Sequence, residues 1–435
     1  MEKKELFKEL IITAQQNFNF DLISRDVKLP INTGKIIVAC GVRRSGKSSV
    51  LQLAINQILE NGVPVDKILY MNFDDERLSV SVNELDYILQ AYREIFPLTP
   101  MSEVYIFWDE IQLITGWESF VRRVYDSETK NIFITGSNSK MLSTEIASTL
   151  RGRSMQFEIY PLSFIEYCRF KKQGTNYYHN VIRAQVSSLF AEFQLSAFPE
   201  LCHISKEYYQ KVLQEYFYVM LYRDLIEHYQ ISNLPALKYL IRRLMANISK
   251  PTSINKIHNE LKSSGISVGK NSLYEWVEYL QSIYLFLPLH KYEPSLVREL
   301  ASERKFYCID TGLRRTLIHA EYADRGILLE NQVYIWLRSQ SDQSTQLFYH
   351  KADKECDFVV VHQGVTMHLI QVCWQIEDEN TLQREIDGLL EASGKLDCDK
   401  LMIITADTEK TFNIQTKVIS VIPAWKVMLE GIAIH

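Results

Sequence analysis

The chain has 435 residues, of which 46% are apolar and 23% are charged, with a formal net charge of −5. This length predicts two or three domains, and the composition excludes a disordered or fibrous protein. No apolar run reaches the roughly 18–20 residues of a membrane span, and the N-terminus lacks a secretory signal pattern. Seven cysteines without paired spacing argue against a disulfide framework or a structural zinc site. We therefore expect a cytoplasmic protein without a membrane segment.

The first part of the chain alternates apolar strands with amphipathic helices, which predicts a parallel sheet covered on both faces. The segment Ser48–Leu59 has apolar residues at helical spacing and is followed by the stop signal Asn61-Gly62. The predicted fold class is therefore α/β. The predicted strands are Lys35–Cys40, Lys67–Phe73, Val104–Trp108 and Asn131–Thr135.

The segment Gly41–Ser48 reads Gly-Val-Arg-Arg-Ser-Gly-Lys-Ser, which is the P-loop pattern G-x-x-x-x-G-K-[ST] between a predicted strand and a predicted helix. Glycines let the backbone approach phosphate oxygens, and the N–H groups of the loop and of the helix start favour negative charge. Lys47 would contact the β- and γ-phosphates, and the Ser48 hydroxyl would bind Mg²⁺. The sequence therefore predicts an Mg-ATP site. Its predicted nucleotide-binding residues are Gly41, Arg44, Ser45, Gly46, Lys47, Ser48 and Ser49.

Two carboxylates, Asp109 and Glu110, follow the apolar segment Val104–Trp108 at the position where a buried strand would end. Ligands bind at the carboxyl edge of such sheets. We expect Asp109 to bind Mg²⁺ together with Ser48, and Glu110 to act as the catalytic base that polarises the attacking water. A strand lies between the P-loop and this acid pair, which points to the branch of P-loop proteins that carries its own base. The predicted reaction is ATP hydrolysis.

Polar and basic residues after the next predicted strand are further candidates. Ser137 or Asn138 would orient the water or sense hydrolysis, and the alternative for both is an ordinary turn. Arg151 or Arg153 would act as an arginine finger in a neighbouring subunit, which requires a homo-oligomer. The alternative for both arginines is an ordinary surface position. The predicted catalytic residues are Lys47, Glu110, Asn138 and Arg153.

Several short segments besides the P-loop occur here in combination. They are Asn72–Asp75, Asp109–Gln112, Thr135–Ser139, Arg151–Arg153, Pro161–Phe164, Phe198–Glu200, Tyr307–Leu313, Gly326–Glu330 and Arg384–Asp387. In this combination the chain resembles the AAA-type P-loop ATPases of bacteria and archaea whose C-terminal half is an uncharacterised domain with a restriction-nuclease-like core. The resemblance extends over nearly the whole chain. It implies an ATP-hydrolysing core, a winged-helix-like middle and a nuclease-like end.

Strand patterns disappear from Pro161 to about Arg243, and residues 240–300 have the pattern of a small helical unit. From about Gly326 onward a predicted helix is followed by strands, so we expect four parts, divided near residues 160, 240 and 310. An AAA-like P-loop ATPase domain is predicted for residues 1–160 and a helical region for residues 161–240. A winged-helix-like domain is predicted for residues 241–310, and a nuclease-like α/β domain, inactive as an enzyme, for residues 311–435.

The segments Ser253–Ser264 and Lys270–Ser282 have the pattern of two helices joined by a tight turn. The lysines of this region would contact DNA phosphates, and the second helix would be a candidate recognition helix. Glu275 and Glu278 on that helix would repel DNA, and many such units only pack against neighbouring domains. DNA and a protein therefore both stay open as partners. The lysines are Lys250, Lys256, Lys262 and Lys270.

The restriction-nuclease-like resemblance implies an Mg²⁺ site built from a helix acid, a strand aspartate and an acid-x-lysine pair. Glu330 and Asp357 match the first two places, but Gln371 and Cys373 stand where the acid and the lysine would be. We therefore predict a scaffold that cleaves neither DNA nor RNA. The predicted function is ATP hydrolysis that drives or regulates movement of the C-terminal domains. The alternatives are a nucleotide-gated DNA-binding regulatory module and a metal-dependent nuclease.

Overall fold

The computed structural model describes residues 3–18, 20–142, 148–318, 325–414 and 416–432. The chain forms two compact units. The first unit is Met1–Tyr160 with Ser282–Tyr284, and the second is Pro161–Gln281 with Leu285–His435. Among the described residues, no helix is both long and apolar enough to cross a bilayer.

The first unit is built on a five-stranded parallel sheet, which confirms the predicted α/β class. The strand order is β2-β3-β4-β1-β5, so β4 lies between β1 and β3. β5 was not predicted, because its short segment Ser-Met-Gln-Phe-Glu carries no clear apolar run. The strands are β1 (Ile36–Cys40), β2 (Ile68–Asn72), β3 (Tyr105–Asp109), β4 (Ile132–Gly136) and β5 (Ser154–Glu158).

Helices cover both faces of this sheet. Ile36 and Val38 of β1 pack into the same apolar core as helices α1, α3 and α4, whereas Ile37 and Ala39 pack against α2. This period of two is what a strand that is buried on both faces requires. Because all five strands are parallel, the loops after β1, β3 and β4 emerge at one edge. The helices are α1 (Lys3–Gln16), α2 (Lys47–Glu60), α3 (Asp86–Ile95) and α4 (Trp117–Ser127).

The second unit begins with helices. The helix α7 (Tyr209–Val219) lies in the predicted helical region and continues as a π-helix over Met220–Glu227. The two helices predicted around Gly265 are α9 and α10. The helices from Pro161 onward are α5 (Phe164–Phe170), α6 (Asn180–Phe193), α7 (Tyr209–Val219), α8 (Leu234–Ala246), α9 (Ile254–Ser263), α10 (Lys270–Ser282), α11 (Leu296–Ala301), α12 (Thr311–Leu317), α13 (Arg325–Gln340), α14 (Glu379–Leu396) and α15 (Ala424–Glu430).

An eight-stranded mixed sheet forms the rest of the second unit, in the order β12-β13-β11-β10-β9-β8-β6-β7. β6 pairs in parallel with β8 and antiparallel with β7, so the sheet extends across the predicted boundary at residue 310. Local patterns did not indicate this pairing, because it joins segments that are far apart in sequence. The strands are β6 (Phe286–Lys291), β7 (Lys305–Cys308), β8 (Thr345–Lys351), β9 (Glu355–His362), β10 (Val365–Val372), β11 (Leu401–Thr405), β12 (Lys410–Ile414) and β13 (Lys417–Pro423).

Candidate functional site

The P-loop is a tight turn between the end of β1 and the start of α2 at Lys47. Gly46 has φ +95°, in the left-handed region that glycine adopts without a steric penalty. At Gly41 a Cβ would collide with the backbone carbonyl of Ile159, so only glycine fits there. Lys47 is 4% exposed, and its Nζ donates to the Val42 carbonyl at 3.3 Å. The loop therefore holds a buried cation close to its own backbone.

Arg25, which precedes the first strand in the sequence, holds the P-loop in place through hydrogen bonds to backbone carbonyls. It is 6% exposed and donates from Nη1 to the Ser45 carbonyl at 2.8 Å and from Nη2 to the Tyr160 carbonyl at 2.9 Å. One guanidinium thus ties the P-loop to the chain that leaves β5. Arg25 could not be predicted from the sequence as part of the site, because a lone arginine outside any motif gives no signal.

Asp109 is the last residue of β3 and is fully buried. Its Oδ1 accepts the Thr135 hydroxyl from β4, and its Oδ2 accepts the Tyr70 hydroxyl from β2 at 2.9 Å. Burial raises the pKa of Asp109 above its usual range, while hydrogen bonds from Thr135 and Ser48 act in the opposite direction. Neighbouring strands therefore fix this carboxylate beside the Ser48 hydroxyl.

Glu110 has φ +54°, an uncommon conformation for a residue other than glycine. Its Oε1 lies 3.4 Å from Lys47 Nζ, and its Oε2 accepts from Gln112 Nε2 at 2.5 Å. Burial alone would raise the pKa of Glu110, but Lys47 and Gln112 outweigh it and the net shift is downward. The side chain is therefore a carboxylate at neutral pH. Gln112 also donates to Ser137 Oγ at 3.3 Å, which links the loop after β3 to the loop after β4.

The other candidates of the first unit lie at two different edges of the sheet. Asn138 follows Ser137 directly after β4, at the same edge as the P-loop. Arg153 precedes β5, where its carbonyl accepts the Ile36 N–H at 2.8 Å, so it lies at the opposite edge, roughly 16 Å along the strands. Arg153 Nε is 3.1 Å from Asp126 Oδ1. Within one chain, Arg153 therefore does not join Lys47 and Glu110.

In the second unit, Glu330 of α13 and Asp357 of β9 come together around a lysine that the sequence analysis missed. Lys305 of β7 is fully buried, and its Nζ lies 3.1 Å from Glu330 Oε1 and 3.2 Å from Asp357 Oδ1. It also lies 2.8 Å from Glu355 Oε1. Burial alone would lower the pKa of Lys305, but the surrounding carboxylates raise it well above its usual range. The lysine stays charged.

Gln371 and Cys373 do not take part in this cluster as charged groups. Gln371 accepts the Asp357 N–H at 2.7 Å through Oε1 and donates from Nε2 to the Glu355 carbonyl at 2.8 Å. The Cys373 thiol donates to the Gln375 carbonyl at 3.0 Å, and burial raises its pKa to about 12. The expectation that the cluster has no lysine is thus corrected: a lysine is present, but it comes from β7. A cavity of about 470 Å³ opens beside it, with Lys351, Glu355 and Arg384 in its wall.

Parts of the chain match known protein families. Residues 33–168 match the family described as AAA domain, and residues 194–324 match a domain of unknown function (DUF8612). The uncharacterized protein MJ1544 of Methanocaldococcus jannaschii is 34% identical, over 98% of this chain and 96% of its own length. An uncharacterized protein of Haemophilus influenzae is 29% identical, over 82% of this chain and 86% of its own length.

Two solved structures align with about three quarters of the chain, both with TM-scores below 0.5. The Walker-type ATPase PABY2304 of Pyrococcus abyssi has a TM-score of 0.41 at 15% identity, covering 73% of this chain and 95% of its own. The Aeropyrum pernix ORC1 protein in complex with DNA has a TM-score of 0.32 at 12% identity, covering 74% of this chain and 93% of its own. The near full-length match at the sequence level shows the family. The chain belongs to the protein family that includes Methanocaldococcus jannaschii MJ1544, and its residues 33–168 match the AAA domain family.

Proposed function

We propose that the chain binds and hydrolyses Mg-ATP at the carboxyl edge of the first unit's sheet. The observation that supports this most is that Lys47 Nζ and Glu110 Oε1, from two different loops, lie 3.4 Å apart. The surrounding groups also fit the nucleotide. Ser45 Oγ is buried in the P-loop and has no hydrogen-bond partner among the described residues. Ser48 and Asp109 provide the hard oxygen ligands that Mg²⁺ prefers.

Each residue then has a definite role. Bound Mg-ATP supplies the phosphoryl group that is transferred, with the metal neutralising charge on its oxygens. Lys47 holds negative charge at the phosphates, and Ser48 and Asp109 hold the metal. Glu110, a carboxylate at neutral pH, accepts a proton from the attacking water. Gln112 holds Glu110 Oε2 in place, while Lys47 lies beside Oε1. Asn138 orients the attacking water.

Replacing Lys47 tests the binding half of this proposal. Lys47→Ala is expected to weaken nucleotide binding roughly 10- to 100-fold, because a charge-assisted contact to phosphate is lost. Titration calorimetry with ATP measures the affinity. Lys35→Ala is the matched control, since Lys35 lies before β1 at the other edge and donates to the Gly152 carbonyl at 3.0 Å. Equal affinities for Lys47→Ala and the parent protein would remove Lys47 from the site.

We also propose that the ATPase works as a homo-oligomer in which Arg153 or Arg151 reaches a neighbouring site. This proposal is supported by the position of Arg153, which lies at the edge of the sheet opposite to the P-loop and so does not contact the P-loop of its own chain. Mixing Arg153→Ala chains with Glu110→Gln chains is then expected to recover part of the ATPase rate that each variant lacks alone. In a mixed oligomer, an Arg153→Ala chain contributes an intact Glu110 and the neighbouring Glu110→Gln chain contributes an intact Arg153 to the same interface. No recovery in verified mixed oligomers, with Arg151→Ala tested in the same way, contradicts a finger in trans.

A nucleotide-gated DNA-binding module is the second candidate, supported by the helix pair α9–α10. Ile257, Leu261 and Leu273 are buried there, while Lys256 and Lys270 are exposed to solvent. A steep fall of DNA affinity with salt would show that several phosphates are neutralised. A flat salt dependence would favour a protein partner. A Glu110→Gln chain can then be used to capture the partner, with both nucleic acid and protein identified in the bound material. This experiment identifies the molecule on which the ATPase acts.

A further inference from the structure

The cluster in the second unit is organised around an ammonium group. Lys305 has three N–H donors, and one oxygen from each of three carboxylates lies 2.8 to 3.2 Å from its nitrogen. These are hydrogen-bond lengths for an ammonium, whereas Mg²⁺ requires oxygens at about 2.1 Å. Every donor of the lysine therefore has a carboxylate partner.

The Lys305 side chain is enclosed by protein. Its side chain is 1% exposed, and it extends from β7, the edge strand of the eight-stranded sheet, to carboxylates on α13 and β9. The second oxygen of Asp357 is also engaged, since Oδ2 accepts the Val372 N–H at 3.0 Å. The Tyr307 hydroxyl donates to Glu330 Oε1 at 2.8 Å. Both oxygens of Asp357 and Oε1 of Glu330 are thus already bound to protein donors, so a metal ion at the point where these acids meet would have to displace Lys305.

We propose that Lys305 occupies the position of the divalent cation in this cluster, so that the second unit joins Glu330, Glu355 and Asp357 without a metal. The lysine supplies one positive charge at the point where three acidic side chains from two elements meet. Lys351 adds a second charge at the rim, 3.0 Å from Glu355 Oε2. Removing Lys305 would leave three clustered acids, of which Glu330 and Asp357 are 12% and 13% exposed and Glu355 is 31% exposed, without their shared cation. Such an arrangement recruits a hard divalent ion. The same reasoning supports the expectation that the parent protein does not cleave DNA or RNA with Mg²⁺ or Mn²⁺.

The test measures Mn²⁺ binding to the full chain without nucleotide, by electron paramagnetic resonance. All proteins carry Asp109→Asn, so that the P-loop does not contribute a metal site. We expect no Mn²⁺ uptake in this background, and uptake of a Mn²⁺ ion when Lys305→Met is added. Methionine keeps the unbranched side-chain length but removes the charge. Lys351→Met is the matched control, because it removes a lysine that is 50% exposed from the rim, and it should bind no Mn²⁺.

Thermal unfolding gives a second readout. Mn²⁺ is expected to raise the unfolding midpoint of the Lys305→Met chain by about 5 °C and to leave the Lys305 chain unchanged. Further addition of Asp357→Asn should abolish the gain. A folded Lys305→Met chain that takes up no Mn²⁺ overturns the proposal. If Lys305→Met does not fold, the Asp109→Asn chain that retains Lys305 decides the question. Mn²⁺ uptake by this chain that disappears when Asp357→Asn is added overturns the proposal. Absence of Mn²⁺ uptake supports it.

Discussion

The Glu110→Gln chain is expected to bind ATP about as tightly as the parent protein and to hydrolyse it ~10²-fold more slowly or worse, the usual scale for a lost general base. Glutamine has nearly the same shape as glutamate but cannot accept the proton of the water. Lys47 loses its 3.4 Å partner in this variant, so its charge stays available to phosphate. Steady-state phosphate release and an ATP titration together separate turnover from binding.

Glu103→Gln is the matched control for this experiment. Glu103 lies just before β3, at the other end of the strand that delivers Glu110, and its Oε2 is 2.5 Å from Lys67 Nζ on the surface. The same chemical change there should leave the hydrolysis rate as it is in the parent. A Glu110→Gln chain that turns over at the parent rate would show that another group activates the water. Gln112→Ala should lower turnover less than Glu110→Gln, because Gln112 only positions the carboxylate.

The P-loop and the acid pair could be predicted because their information is local. Gly41, Gly46 and Lys47 stand within one turn, and Asp109 and Glu110 directly follow an apolar strand. Parallel strands then bring the two loops to one edge without further information from the sequence. The roles of Tyr70 and Gln112 could not be found in this way. Each depends on which side chain faces Asp109 or Glu110 across strands and loops, and that is set by packing.

Lys305 shows the same limit in the second unit. It precedes Glu330 and Asp357 in the chain and lies on a short strand, β7, that local patterns did not indicate. Its partners come from α13 and β9, so the cluster exists only because β7 joins the edge of the eight-stranded sheet. In a motif with a fixed spacing, a lysine would stand at the position of Cys373. Lys305 instead reaches the acids from β7, which the spacing of a motif does not predict.

The second large effect is expected at Arg25, which no motif contains. Arg25→Met removes two hydrogen bonds from a charged donor, one to the buried Ser45 carbonyl and one to the partly buried Tyr160 carbonyl. Bonds of this kind are worth about 1.5–3 kcal/mol each, with incomplete additivity, so we expect the P-loop to lose about 2–4 kcal/mol of local stability. Amide hydrogen exchange of the segment 41–50 measures this directly and should become roughly 10²-fold faster.

The same change should also weaken ATP binding, since an unbraced loop must be ordered again each time nucleotide binds. Arg77→Met is the matched control: Arg77 is a surface arginine, 50% exposed and 2.7 Å from Asp75, where ion pairs contribute about 0–1 kcal/mol. Arg25→Lys keeps the charge but loses the forked geometry, so it should give an intermediate exchange rate. If exchange accelerates in Arg25→Met while ATP affinity stays at the parent value, then Arg25 stabilises the fold without preparing the loop for nucleotide. If both change together, and Arg77→Met changes neither, the arginine is part of the ATP site.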